Sequence, residues 1–173
     1  MLIKWIGIVC ILFSSIMTGA YLSKRFYFRA EDLAQMRRAM LILKNQILFY
    51  SMPLPDGMRE ISEKVGGAIG AIFATAAGQM EERQGKDAQS IWQIALEKEK
   101  GKTYFTSEDM EELHNFGRTL GYLDKGQQQS SIDLLIEYLT DKEEALRKAG
   151  QNNTKLYGSM SILVAMLTIV VLL

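Results

Sequence analysis

The chain is short of the groups from which catalytic and covalent chemistry is built. Among 173 residues there are one cysteine, one histidine and two prolines. The lone Cys10 cannot close an internal disulfide, and it sits in an apolar run, where a thiol is an inert packing group. A single histidine and no second thiol leave few candidates for acid, base or nucleophile, which work only when held together. Excess charge of one sign is missing as well, since 20 basic residues balance 20 acidic ones. Phosphate backbones demand a large basic surface, so nucleic acid is excluded as a partner. No stretch of the middle alternates apolar and polar residues with a period of two, which removes the sheet classes.

What is present is distributed unevenly. Every charged residue except Lys4 falls between Lys24 and Lys155. Leu2 to Leu22 reads LIKWIGIVCILFSSIMTGAYL, and its 21 residues reach about 31 Å as a helix, the thickness of a bilayer core. Lys4 is close enough to the end to extend to the interface, and Trp5 and Tyr21 stand near opposite ends, where amphipathic rings prefer to be. A cleaved signal peptide is the rival reading, with small residues at Thr18-Gly-Ala20. Against it stand the long apolar stretch and the cluster Lys24, Arg25 and Arg29 just beyond. Leu156 to Leu173, LYGSMSILVAMLTIVVLL, carries no charge over 18 residues and reaches about 27 Å. Its few polar residues form no stripe, unlike a helix of a soluble core.

These segments predict a transmembrane helix at 2–22, a second at 156–173, and a water-facing domain at 24–155. Lys24, Arg25 and Arg29 follow the first span, while Arg147, Lys148 and Lys155 precede the second. Basic residues concentrate on the cytoplasmic side, so the middle is expected in the cytoplasm and both termini on the opposite side of the membrane.

Three-and-four spacing of apolar residues makes the middle an all-α antiparallel bundle of about six helices. The first, near Ala30 to Ser51, carries the seam Leu33, Met36, Met40, Leu43, Ile47 and Tyr50. Packing against other helices is the favoured role, and lying on the membrane surface is the rival. Pro53-Leu-Pro55 ends it and opens a second helix with Met58, Ile61 and Val65, which Gly66-Gly67 breaks or kinks. A third turns Ile69, Ile72, Phe73, Ala76 and Met80 inward and ends at a polar turn, Arg83 to Lys86. A fourth, with Ala88, Ile91, Trp92 and Ala95, runs to about Lys100, where Gly101 suits a C-terminal cap. The fifth starts at Thr106 or Ser107 with Asp109 in a capping-box relation, and carries Met110, Leu113, Phe116, Gly117, Leu120 and Gly121 inward. Gly117 and Gly121 lie on one face as candidates for close helix packing, and since glycine inside a helix costs about 1 kcal/mol against alanine, Gly117 marks a place where another helix or a partner comes very near. Asp124 is a candidate cap for a last helix with Ile132, Leu135, Leu139 and Leu146, which runs toward the final span.

The candidate chemical motifs are thin. Glu111 and His114 form Glu-x-x-His, the spacing that sets a carboxylate and an imidazole on one helix face in di-iron bundles, but such a site needs a second copy and further glutamates. A membrane-anchored metal or redox protein using Glu111 and His114 is therefore the second hypothesis. Gly85-Lys86 lacks the other glycine and the hydroxyl of a phosphate loop. A pore built by the spans themselves would need inward polar residues that they lack. The exposed charges of Glu81, Glu82 and Arg83, and of Glu108, Glu111 and Glu112, are candidate docking surfaces for a protein partner. No catalytic, cofactor or metal residue is assigned.

With the helices placed, the whole chain resembles the stage III sporulation protein AB family of spore-forming bacteria. The resemblance rests on the flanking spans, Pro53-Leu54, Trp92, and the segment Phe105-Thr-Ser-Glu-Asp109 running through Leu113 and Phe116-Gly117 to Leu120-Gly121 and Asp124. That family is similar in turn to the cytoplasmic helical domains of the F-type inner-membrane platform of type II secretion and type IV pilus machines. The resemblance implies a six-helix bundle, a place in the mother-cell membrane around the forespore, and membership of a channel complex. It also implies a cytoplasmic ATPase partner like stage III sporulation protein AA and other membrane subunits, with a homo-oligomer compatible. It brings no catalytic residues and no cofactor.

Overall fold

The computed structural model describes the backbone of residues 2–47, 52–82, 85, 87–121 and 125–172, and the side chains of 24–47, 52–82, 85, 87–121 and 126–150. Six α-helices and one 3-10 turn appear among the described residues, with no strand. They are α1 (Leu2–Asn45), α2 (Leu54–Val65), α3 (Gly67–Glu81), α4 (Ala88–Glu99), the turn Lys100–Lys102, α5 (Ser107–Gly117) and α6 (Lys125–Leu172). The chain divides into two compact units: Met1–Phe28 with Glu144–Leu173, and Arg29–Glu143. Among residues whose side chains are described, no helix is long and apolar enough to cross a membrane. The expected spans at 2–22 and 156–173, with Cys10, Trp5, Tyr21 and Lys155, lie outside that set.

The unit Arg29–Glu143 is the helical bundle. In α1 the expected seam is inside: Leu33, Met36 and Met40 are fully buried and Leu43 nearly so, joined by Ala30 and Ala39. Burying each large side chain is worth about 1.5–3 kcal/mol, enough for this stripe to fix which face of α1 turns inward. Ile47 is half-buried, and Tyr50 lies outside the described residues. Arg37 Nε donates to Glu143 Oε2 at 3.1 Å and Lys44 Nζ meets Asp133 Oδ1 at 2.6 Å, so rising numbers on α1 pair with falling numbers on α6. Within the bundle these helices run antiparallel.

Pro53 stands as the cap before α2, and Pro55 follows in its first turn, where a missing N–H does no harm. Gly66 and Gly67 both take positive φ, 67° and 59°, which L side chains rarely adopt, and the chain reverses there into α3. The reversal is tight: a Cβ on Gly70 would come within 2.8 Å of the Ser62 carbonyl oxygen. Ile69, Ile72, Phe73 and Ala76 of α3 are buried, as their spacing predicts, whereas Met80 is only half-buried.

Two helix ends fall elsewhere than expected. Gly101 does not cap α4; the helix tightens after Glu99 into the 3-10 turn, closed by Thr103 N–H donating to the Lys100 carbonyl at 3.1 Å. Glu99 is buried beside it and accepts from Lys102 Nζ at 2.7 Å, a tie that favours the tighter turn. The fifth helix stops at Gly117, short of Gly121, because the Arg118 N–H divides between the His114 and Asn115 carbonyls and Thr119 and Leu120 then donate three residues back. Thr119 Oγ1 takes the Phe116 carbonyl as well, at 2.7 Å. Gly121 therefore lies beyond the helix with φ 85°, and its role is to turn the chain. Tyr122 and Asp124, where the next turn is expected, lie outside the described residues.

The core is organised around Trp92. Its indole meets Phe73 edge-on at 5.3 Å between centroids and Phe116 at 5.7 Å, and its Nε1–H donates to the Leu113 carbonyl at 2.8 Å. That bond satisfies the one polar atom of a fully buried ring. Helices α3, α4 and α5 are thereby joined at one point.

Candidate functional site

The most heavily connected polar group is Asp109, in the first turn of α5 and completely buried. The sequence supplies its first task. Thr106 caps α5 by accepting from the Asp109 N–H, and the Asp109 carboxylate accepts from the Thr106 N–H at 2.8 Å, the reciprocal box expected from the spacing. The remaining partners come from far away in the chain. Arg29 of α1 grips the carboxylate with both arms, Nε to Oδ2 at 2.8 Å and Nη2 to Oδ1 at 2.9 Å, and Nη2 also reaches Thr106 Oγ1 at 3.1 Å. Tyr138 of α6 donates its hydroxyl to Oδ1 at 2.9 Å. One carboxylate thus clamps three helices.

The electrostatics follow from that geometry. Burial alone would push the Asp109 carboxyl upward, but the donors from Arg29, Thr106 and Tyr138 outweigh it and hold the group below the ordinary carboxylate range. Burial, and then the bond to Asp109, raise the Tyr138 hydroxyl well above its usual value. Both oxygens of the Asp109 carboxylate are engaged by these donors, and the cluster acts as a structural clamp. Arg29 is expected from its position to help orient the first span; here its charge is directed inward, and it is 16% exposed. A second tie joins α1 to the loop before α5, where Asp32 Oδ2 accepts from the Tyr104 N–H at 2.7 Å. Burial raises the Asp32 carboxyl and that bond partly offsets the rise.

The candidate docking residues lie in two places. Glu81 ends α3 and pairs with Arg59 of α2; Glu82 follows it, exposed, and Arg83 is outside the described residues. Glu108, Glu111 and Glu112 share one side of α5. Glu108 is taken by Lys142 of α6 at 2.7 Å, which makes it a cross-helix tie. Glu111 is exposed and Glu112 half-exposed. Glu111 and His114 line an open cleft of about 700 Å³ between α4 and α5, with Glu97, Lys100 and Arg118 around them and Phe105 and Met110 among its walls. His114 Nε2 lies 3.4 Å from Glu97 Oε1. Among the described residues no three His, Cys, Asp or Glu side chains gather as a metal would require.

Gly117 sits against the indole of Trp92: a Cβ there would be 2.4 Å from Cδ1 and 3.2 Å from Nε1. Its closeness is to a side chain rather than to another helix backbone. Gly121 is off the helix, and a Cβ there would meet the Ala88 Cβ at 3.3 Å. The pairing of the two glycines on one helix face does not form, because α5 has ended between them. Sequence reasoning missed the Arg29–Asp109–Tyr138 clamp. A capping box was visible locally, but nothing in the spacing tells which distant arginine and tyrosine complete it.

Fold and contacts together define an all-helical bundle protein whose buried polar groups serve to lock helices to one another. The family model of stage III sporulation protein AB matches residues 4–173, and the chain belongs to that family. A curated relative, the stage III sporulation protein AB of Bacillus subtilis (strain 168), is 27% identical over 173 residues, covering 99% of this chain and 100% of the relative. A solved structure of a stage III sporulation protein AB superposes with a TM-score of 0.67 at 24% identity, over 72% of this chain and 97% of that one. The likeness to that structure is one of fold.

Proposed function

We propose that this sporulation-family protein is a non-enzymatic membrane platform: a subunit that holds a helical bundle at a bilayer and presents it to other proteins of a secretion-like channel complex. The observation that carries the reading is the charge distribution, which leaves both chain ends apolar and confines every charge but Lys4 to 24–155. Hydrocarbon accepts such ends as helices and rejects the middle. The ends anchor in the mother-cell membrane around the forespore, with the bundle in the cytoplasm and both termini opposite. The fold supports the role, because its buried polar cluster is closed on itself and its surface charges are available for recognition. The partners are an ATPase like stage III sporulation protein AA and other membrane subunits, with further copies of the chain compatible.

The α5 face with Glu111 and Glu112 is the docking surface of choice, since Glu108 beside it is already tied to Lys142. Reversing both to lysine should weaken capture of the ATPase in a pull-down from sporulating cells while the circular dichroism stays unchanged; undiminished capture removes this surface. Orientation is tested with single cysteines near Glu108 and at the C-terminus, probed on intact cells by an impermeant thiol reagent. Labelling of the first alone overturns the topology.

A further inference from the structure

The segment that leads from the first apolar run into the bundle carries three consecutive aromatic residues, Phe26, Tyr27 and Phe28, directly after Lys24 and Arg25. All three lie in helix α1 and all three are outside: Phe26 is 42% exposed, Tyr27 66% and Phe28 42%. Successive residues on a helix point about 100° apart, so these rings sweep an arc of roughly 200°. The exposures are symmetrical about Tyr27, which identifies one outward face centred on its ring. Tyr27 and Phe28 meet edge-on at 5.8 Å between centroids, so these two rings form a connected apolar surface. Large apolar surface left in water is unfavourable, and a run of three such rings marks a place that something covers.

The charges say what covers it. Lys24 and Arg25 are exposed, and no acidic residue occurs before Glu31. Glu31 already accepts a hydrogen bond from Gln35 at 3.2 Å. Arg29, the next base along, is committed to Asp109. The same compact unit contains Arg147 and Lys148, both exposed, with Lys148 paired to Glu144 at 3.1 Å. Aromatic rings set directly beside basic side chains match a layer that is half apolar and carries negative charge. If hydrocarbon ends near Leu22, residues 26–28 stand about 6–9 Å further along the helix, within the headgroup layer of a bilayer.

We infer that Lys24, Arg25, Phe26, Tyr27 and Phe28 form an interfacial collar that binds the anionic phospholipid headgroups of the membrane the chain enters. The rings sit at headgroup depth and the two bases take lipid phosphates. This rests on the membrane reading of Leu2 to Leu22, and the test separates the two.

The test uses the full chain in lipid nanodiscs with Cys10→Ser as background, and a nitroxide placed at Leu12→Cys or at Tyr27→Cys. Collisions with oxygen and with a water-soluble nickel chelate report depth. The expected result is a Leu12→Cys label reached by oxygen alone and a Tyr27→Cys label reached by both at headgroup depth. In parallel, the phospholipid that stays with the unlabelled chain is counted from discs mixed from phosphatidylglycerol and phosphatidylcholine. Phosphatidylglycerol should be enriched, and Lys24→Gln with Arg25→Gln should lower that enrichment several-fold, up to roughly fivefold per charge removed. A deep Leu12→Cys label with a Tyr27→Cys label fully open to nickel overturns the collar and leaves the span standing. A Leu12→Cys label open to nickel overturns both. A Tyr27→Cys label shielded from both reagents and broadened by a neighbouring spin shows a second copy on the rings and overturns the lipid assignment, as does an enrichment unchanged by the charge substitutions.

Discussion

Replacing Asp109 by alanine removes a carboxylate that five donor contacts converge on, from Arg29 Nε and Nη2, the Thr106 N–H and hydroxyl, and Tyr138. Asp109 is fully buried and Arg29 only 16% exposed, so the guanidinium left behind can recruit little water. Breaking a buried ion pair from one side costs about 3–5 kcal/mol. Arg29's partial exposure argues for the lower half, and loss of the α5 cap contact adds roughly 1 kcal/mol. A total near 4 kcal/mol should lower the thermal midpoint of the full chain in detergent, read by far-ultraviolet circular dichroism, by about 10 °C or more. Asp109→Asn keeps the shape and one acceptor and should cost about 2–3 kcal/mol. The pH dependence has a definite sign. Asp109 is held below the ordinary carboxylate range, so its stabilisation is complete above the unfolded value near pH 4 and is lost as pH falls through the folded value. The gap between wild type and Asp109→Asn should therefore narrow progressively as pH falls below the unfolded value. The reasoning is refuted if Asp109→Asn costs under about 1 kcal/mol at pH 7, or if its loss and that of Arg29→Met simply add in the double variant.

Other outcomes follow from the same contacts. Gly117→Ala drives a methyl against Trp92, whose ring is wedged between Phe73 and Phe116, and should destabilise by about 1–3 kcal/mol with a shift in tryptophan emission. Tyr138→Phe removes one hydroxyl from Asp109 and should cost about 1 kcal/mol, measured by the same melting assay. Exchanging the charges of Glu108 and Lys142 together should move the midpoint by less than the equivalent of about 1 kcal/mol, because the pair is largely exposed. Metal analysis of the purified chain should find iron and zinc far below stoichiometric, and His114→Ala should leave that content unchanged; a stoichiometric ion lost on substitution would revive Glu111 and His114 as ligands.

The elements were legible where their cause is local. Pro53 and Pro55, the Gly66-Gly67 pair and the Thr106–Asp109 box each act within a few residues, and each stands where its chemistry places it. The α1 seam was legible because a buried face leaves a periodic trace. The end of α5 was not. Residues as far as Leu120 keep helical spacing, and only the Thr119 bond to Phe116 and the left-handed Gly121 reveal that the helix has already turned. The clamp was hidden for a different reason. Arg29 and Asp109 are 80 residues apart, and any of several bases could have filled the place on charge alone. Glu108 illustrates the same limit: an acidic cluster reads as a free surface until the fold brings Lys142 to one member of it.

The antiparallel pairing of α1 with α6 sets a timetable for synthesis. Arg37 finds Glu143 across 106 residues, so at about 5–20 residues per second a nascent α1 waits on the order of 5–20 s for its counterpart to leave the ribosome. During that interval its apolar seam lacks the helix that completes the bundle, and the glycine-linked pair α2 and α3 is the neighbour already made. A chain stalled before residue 143 would thus emerge as an open, adhesive intermediate, which makes the last helix the latch that commits the bundle to its final form.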